Sequence, residues 1–225
     1  MGRIGIVSAL RAETDSFVRG SSEHIRYKVL TCGIGLDAAR LGAQRLVADG
    51  VDAIISWGVA GALVPELNLG DVVVTTNILT PEGHAIPGAA PPPVKFVQPF
   101  ADQALVSAAH VVSTPAAKRE LHNHSGAAVV DMESSAIAQV CRDAGIACLA
   151  VRSILDRLED TLSPALTGLI DAQGRVQLGA LTARMAKNPL MVGALLGQGI
   201  RYRRALSGLR RAANALRWVA ESSGA

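Results

Sequence analysis

Apolar positions along this chain fall into short continuous runs separated by stretches of helical spacing. That alternation predicts buried strands joined by amphipathic helices. The first run, residues 3–8, gives way to helical spacing over 9–18, which brings Glu13 close behind the carboxyl end of a strand. Residues 27–32 predict a second strand, followed by Gly33-Ile34-Gly35 and a helix over 36–48. A third strand over 53–57 ends in Gly58-Val59-Ala60-Gly61-Ala62, small residues that suit a tight turn or the wall of a pocket equally well. A fourth is expected over 72–76. Next come a short helix over 102–109, a strand over 110–113 and a helix over 115–121 with Pro115 at its first position. Residues 127–130 read as a strand, 132–144 as a helix closed by Gly145, and 146–154 as a strand running out into Leu155-Asp156. Toward the C-terminus, Tyr202, Leu206, Leu209, Ala213, Leu216 and Ala220 recur at spacings of four and three, which predicts a helix over about 199–221.

Two stretches break the alternation. Residues 80–99 hold six prolines plus Gly83 and Gly88, too poor in donors and helix formers for regular structure, so a long loop is expected there, a candidate lid. Residues 161–177 read as a second loop. No domain boundary or internal repeat is visible, and 225 residues suit a single domain with a substantial core. Because 49% of the residues are hydrophobic but only 3% aromatic, that core is built from Ala, Val, Leu and Ile, as fits a sheet covered by helices.

Charge and cysteine usage narrow the setting. Cys32, Cys141 and Cys148 form no C-x-x-C pair and leave an odd one over, which points to a reducing compartment and to small core residues. His122-Asn123-His124 has no acid or cysteine at ligand spacing; it is expected in an exposed loop, with no metal and no organic cofactor. No run is long or apolar enough to span a bilayer and no signal peptide precedes the first strand, so a cytoplasmic location is expected. Residues 201–225 carry six Arg and one Glu, a charge of +5, so the net +3 leaves −2 on the first 200 residues. This basic amphipathic tail suits packing of its stripe on the body or peripheral contact with an anionic membrane face. Its arginines cluster on one tail with only Tyr202 and Trp218 beside them, too few for a stacking platform, which argues against a nucleic-acid partner.

The chemistry concentrates at 129–136, Val-Val-Asp-Met-Glu-Ser-Ser-Ala, where an apolar strand meets a helix and two carboxylates stand at the junction. α/β folds hold ligands at such strand ends. The plainer reading makes Asp131 an N-cap and Glu133 a first-turn acid. Glu13 and Asp156 stand at comparable strand ends, each with a solvated surface acid as its alternative. Glycines between strand and helix allow backbone to approach an anion, so Ser8, Gly33, Gly35 and Gly58 form a candidate pocket for a nucleophile or anion. The full G-x-G-x-x-G pattern is absent, since Ala38 occupies its third glycine position.

Taken together, residues 4–13, Gly33-Ile34-Gly35, Gly58-Val59-Ala60-Gly61, residues 130–136 and Val151-Arg152-Ser153-Ile154-Leu155-Asp156 resemble the nucleoside phosphorylase and methylthioadenosine/S-adenosylhomocysteine nucleosidase superfamily. The resemblance covers about residues 3–158, and Met-Glu followed by Arg-x-x-x-Asp is its specific part. Within it the chain looks most like the hopanoid-associated phosphorylase branch, through Asp131-Met132-Glu133-Ser134-Ser135 and the segment from Leu162-Ser163-Pro164-Ala165-Leu166 to Gly174-Arg175.

The resemblance implies a central mixed, partly barrel-like sheet flanked by helices, and cleavage of adenine from a 5′-modified adenosine. Asp156 matches the acid that protonates the purine at N7, Glu13 the base that activates water, Glu133 the acceptor of ribose hydroxyls and Met132 the side chain beneath the sugar. Asp131, Val59, Ala60 and Gly61 are expected to complete the substrate pocket. Two departures stand out. Leu155 replaces the serine that usually precedes and supports the catalytic Asp, leaving Arg152 or Ser153 as expected supports. Ser56 and Val59 occupy places where phosphorylases of the superfamily carry Arg and Ser, which favours water over phosphate as nucleophile. The branch implies adenosylhopane, a nucleoside with a lipid tail, as substrate; the rivals are a methylthioadenosine/S-adenosylhomocysteine nucleosidase, a purine nucleoside phosphorylase and a non-catalytic adenosine-binding module. A homodimer is expected.

Overall fold

A computed structural model describes residues 3–22, 27–88, 91–162 and 190–218. Its strands are β1 (Ile4–Ser8), β2 (Tyr27–Thr31), β3 (Ala53–Ala62), β4 (Val72–Thr75), β5 (Ile78–Leu79), β6 (Val94–Phe96), β7 (Leu105–Ser107), β8 (Val129–Asp131), β9 (Ala147–Asp156) and β10 (Leu216–Trp218). The described helices are α1 (Arg11–Gly20), α2 (Leu36–Ala48), α3 (Pro115–Ser125), α4 (Ser134–Asp143) and α5 (Leu190–Ala215).

β3 is the strand from which the sheet branches. Along residues 53–56 it pairs in parallel with β1, and β9 runs parallel on its other edge as far as Gly61. Beyond the end of β1, Gly61 and Ala62 pair antiparallel with β8, so the sheet forks there. β2 continues the first branch, β7 and β5 continue the second, and β4 lies antiparallel on β9. Only Thr76 and Asn77 separate β4 from β5. β3, β8, β7, β5, β4 and β9 therefore close a ring with one covalent join in place of a ladder, the mixed, partly barrel-like sheet expected from the sequence.

Both faces of the central strands are buried, which is why they read as unbroken apolar runs. Val7, Ile54 and Ala150 pack with Ala39, Ala43 and Leu46 of α2 and Ile137 and Cys141 of α4. On the opposite face, Ile6, Ile55, Trp57 and Val151 pack with Phe17 of α1 and Leu209, Ala212 and Ala213 of α5.

Several elements differ from expectation. Residues 58–62 continue β3 and make no turn. Residues 102–109 hold strand β7, where a helix was expected, because buried Leu105 and Val106 fill the slot between β5 and β8. No strand forms over 110–113, and α3 runs on to Ser125, placing His122 and His124 in its last turn. Within the proline-rich loop, β6 pairs with β10, which directly follows α5. The apolar stripe of α5 is core: Leu209, Ala213 and Leu216 are buried, while Arg203, Arg204 and Arg210 face outward. That stripe is therefore not available to enter a membrane. Among the described residues no helix is long and apolar enough to cross one. Most of the expected loop over 161–177, the segment 163–175 and Ala220 lie outside the described residues.

Candidate active site

Glu13 enters the site because of how α1 begins. The N-cap residue Leu10 has no side-chain oxygen to offer, and Glu13 at the third helical position accepts the Leu10 N–H at 2.9 Å, one half of a capping box. Its other oxygen accepts the Val59 N–H from β3 at 3.0 Å. Only 3% exposed, Glu13 is not a solvated first-turn acid. Burial raises its pKa, opposed by the two N–H groups and by Arg152. A carboxylate held at two points, with its pKa raised above the ordinary carboxylate value, is suited to take a proton from water.

At the β8–α4 junction the two acids have different surroundings. Asp131 accepts from Ser107 Oγ at 2.6 Å, from the Ser134 N–H at 3.1 Å and from Arg152 Nε at 2.8 Å. Expected in the substrate pocket, Asp131 directs its carboxylate to these protein donors and ties α4 to Arg152. Glu133, half-buried, accepts the Gly35 N–H at 3.0 Å, and burial followed by repulsion from Asp131 pushes its pKa up to about 7.

Gly35 and Gly33 depart from expectation in the same way. Both have positive φ, as a strand-to-helix turn this tight requires, but the Gly35 N–H serves Glu133 and the Gly33 N–H donates to Ala9 O. Neither is available to an anion. Ser8 Oγ lies 2.5 Å from Thr14 Oγ1, itself 2.5 Å from Thr31 Oγ1, a hydroxyl chain at the mouths of β1 and β2.

Arg152 is the hidden centre of the cluster. Just 2% exposed, it directs Nη2 to Ser56 Oγ at 2.7 Å and Ser134 Oγ at 2.9 Å, Nη1 to Val151 O, and Nε to Asp131. Burial works against its charge, and Asp131, Glu133 and Glu13 outweigh that penalty, so its pKa is raised. The expected role of Arg152 as support for Asp156 does not occur, and Ser153 Oγ is buried without a hydrogen-bond partner among the described residues. Asp156 is held instead by Lys118 of α3, whose Nζ donates to Asp156 Oδ2. Burial raises the Asp156 pKa, opposed by Lys118. Lys118 carried no signal in the sequence, where it reads as one more exposed helical base.

β3 supplies the small residues that let these acids approach. A Cβ on Gly58 would stand 3.0 Å from Glu13 Oε1, and one on Gly61 would stand 3.2 Å from Asp156 Oδ2. Val59 is half-buried, Ala60 buried and Met132 half-buried beside them. A cleft of about 190 Å³, counted out to open solvent, is lined by Ser8, Glu13, Ser56, Gly58, Glu133 and Arg152. The space between these side chains is closed to a sphere the size of a water molecule.

The fold and the carboxylate cluster define an α/β protein of nucleoside phosphorylase type. The Phosphorylase superfamily model matches residues 10–186, and the chain belongs to that superfamily. It is 29% identical over 170 residues to the 5′-methylthioadenosine/S-adenosylhomocysteine nucleosidase of Anoxybacillus flavithermus, covering 63% of this chain and 72% of that one. The same fold is found in the 5′-methylthioadenosine/S-adenosylhomocysteine nucleosidase of Helicobacter pylori, with a TM-score of 0.66, 17% identity and 95% coverage of both chains. It recurs in the futalosine hydrolase of the same organism, with a TM-score of 0.65, 16% identity and 94% coverage of both chains.

Proposed function

We propose that this protein hydrolyses the N-glycosidic bond of a 5′-modified adenosine and releases adenine. The observation that carries the reading is three acids with raised pKa values, Glu13, Glu133 and Asp156, gathered at the small-residue end of β3. Asp156 protonates the leaving purine at N7, Glu133 accepts ribose hydroxyls above Met132, and Glu13 takes the proton of the attacking water. Val59, Ala60 and Gly61 form the wall beside the nucleoside.

Water is favoured over phosphate by the engaged donors of the cluster. Arg152 directs Nε, Nη1 and Nη2 to protein acceptors, as Gly33 and Gly35 do their N–H groups, which argues against a charged fork held ready for a dianion.

For the 5′ substituent, the Asp131-Met132-Glu133-Ser134-Ser135 sequence supports adenosylhopane. The narrow cleft would keep a pentacyclic tail outside the ribose pocket. The outward arginines of α5 offer electrostatic contact with an anionic membrane that holds such a lipid. A second copy of the chain completing the site, as a homodimer, belongs to the same reading. The second reading, a methylthioadenosine/S-adenosylhomocysteine nucleosidase, is favoured by the named function of the relative that is 29% identical.

Adenine release from adenosylhopane and from methylthioadenosine, each with and without phosphate, tests these readings. Phosphate-independent release from adenosylhopane supports the first. Preference for methylthioadenosine supports the second, and strict phosphate dependence overturns water as the nucleophile.

A further inference from the structure

Among the described residues Lys118 is the one buried lysine, at 0% exposure, and all three of its donors have acceptors. Its Nζ donates to Asp156 Oδ2, to Arg157 O at 2.6 Å and to Asp160 O at 3.1 Å. Three acceptors match the three donors of an ammonium. α3 brings it there: Thr114 Oγ1 caps the helix by accepting the Ala117 N–H at 3.2 Å, and Lys118 follows on the first turn. The surrounding charges are arranged around this contact. Asp160 accepts from Arg157 of the same loop at 3.2 Å and from Arg201 of α5 at 3.1 Å, so the loop that gives Lys118 its carbonyl acceptors is tied to α5. Arg119 next to it pairs with Glu159, closing α3 onto the same loop.

Asp156 itself is asymmetric. Oδ2 takes the ammonium, while no described residue donates to Oδ1, and both oxygens lie against the space over Gly61. One oxygen is thus fixed by the ammonium, and the other has no donor among the described residues.

We propose that Lys118 is the positioning residue of the leaving-group acid: its ammonium fixes Asp156 by one oxygen and compensates the carboxylate that remains once the other has given its proton away. This rests on the proposed nucleosidase reading. In the step, the Asp156 Oδ1 proton passes to purine N7 and the C1′–N9 bond breaks with its electron pair going to the base. Water bonds to C1′ and loses its proton to Glu13. Asp156 ends as a carboxylate beside an ammonium that was charged throughout, so no further co-reactant is needed. Burial weakens Asp156 as an acid, and the adjacent cation opposes that effect. Lys118 thereby takes over the supporting role that Leu155 cannot perform.

The test compares wild type with Lys118→Met, Lys118→Gln and Lys118→Arg, with folding verified by thermal melts. Lys118→Met should lower kcat for the purine nucleoside by about tenfold or more, and the alkaline limb of its pH profile should move up by about one unit, the shift that corresponds to such a loss. Hydrolysis of p-nitrophenyl riboside, whose leaving group needs no proton at N7, should stay within about threefold of wild type, a difference of about 0.6 kcal/mol. Lys118→Arg should keep the wild-type limb, and Lys118→Gln should behave like Lys118→Met.

Equal losses on both substrates with an unmoved limb would reduce Lys118 to a structural residue and overturn the proposal. A separate readout needs no turnover: the Asp156 carboxyl carbon, followed by NMR across pH, should titrate at higher pH in the Lys118→Met and Lys118→Gln proteins than in wild type. An unchanged titration overturns the proposal even if the protein cleaves purine nucleosides. A shifted titration with no purine release upholds the Lys118–Asp156 coupling and removes the nucleosidase reading.

Discussion

Arg152 Nε donates to Asp131 Oδ2 at 2.8 Å, tying the middle of β9 to the junction of β8 and α4. The bond is buried on both sides, and the same guanidinium stands beside Glu13 and Glu133. Removing one partner of a buried pair leaves the other charge uncompensated, at a cost of about 3–5 kcal/mol. Arg152→Met should destabilise the protein by about that amount in urea denaturation. A change under about 1 kcal/mol would contradict the placement of Arg152 as the cation of the cluster.

Glu133 makes stability depend on pH in a defined direction. Its pKa is about 7 in the fold against the ordinary 4.5, so the folded state binds the proton more tightly than the unfolded chain does. The contribution is fully present below pH 4.5 and is lost as pH rises through 7. In Glu133→Gln it is absent, so wild type should lose stability relative to the variant across that window, by at most about 1.4 kcal/mol per pH unit. Thermal melts of both proteins from pH 4 to 8 measure this; a constant difference would contradict it.

Glu13 carries the base role in the proposed reaction. Glu13→Gln keeps the length and one hydrogen-bond acceptor but cannot take a proton. kcat should fall by about 10²–10⁴, the usual contribution of a general base, while a non-hydrolysable nucleoside analogue still binds by calorimetry. Unaltered turnover would remove Glu13 from the chemistry.

Gly61 tests the wall of β3. A methyl group there would stand 3.2 Å from Asp156 Oδ2 and 3.3 Å from Val130 Cγ1. Gly61→Ala should displace the acid and reduce kcat by up to about 10²-fold, since displacements near 1 Å cost that much. Wild-type kinetics would show that Asp156 need not stand where it does.

Leu209 decides what the stripe of α5 is for. Fully buried against the face that holds Phe17 and Trp57, it should cost about 2–5 kcal/mol when changed to Ala. A helix whose apolar side was reserved for lipid would lose vesicle binding instead, with stability unchanged.

Strands buried on both faces were legible because their pattern needs no partner to be recognised: β1, β3, β4 and β9 all form where the apolar runs stand, as does α2 over 36–48. β7 was not legible. Its three residues lie among alanines with helical spacing, and only the slot between β5 and β8, elements distant in the chain, makes them a strand. The acids were found because each follows a strand end. What they touch was not, since Gly35 meets Glu133 across 98 residues and Lys118 meets Asp156 across 38. Burial of a lysine is decided by its acceptor, and the local sequence of α3 contains no sign of one.

The most direct measurement of the central claim is product analysis in ¹⁸O-enriched, phosphate-free water, with wild type and Glu13→Gln in parallel and adenosylhopane and methylthioadenosine as substrates. The account predicts adenine and a free sugar product carrying one ¹⁸O at C1 from wild type, and almost none from the variant. Adenine release only when phosphate is added, with a sugar 1-phosphate as product, would contradict it.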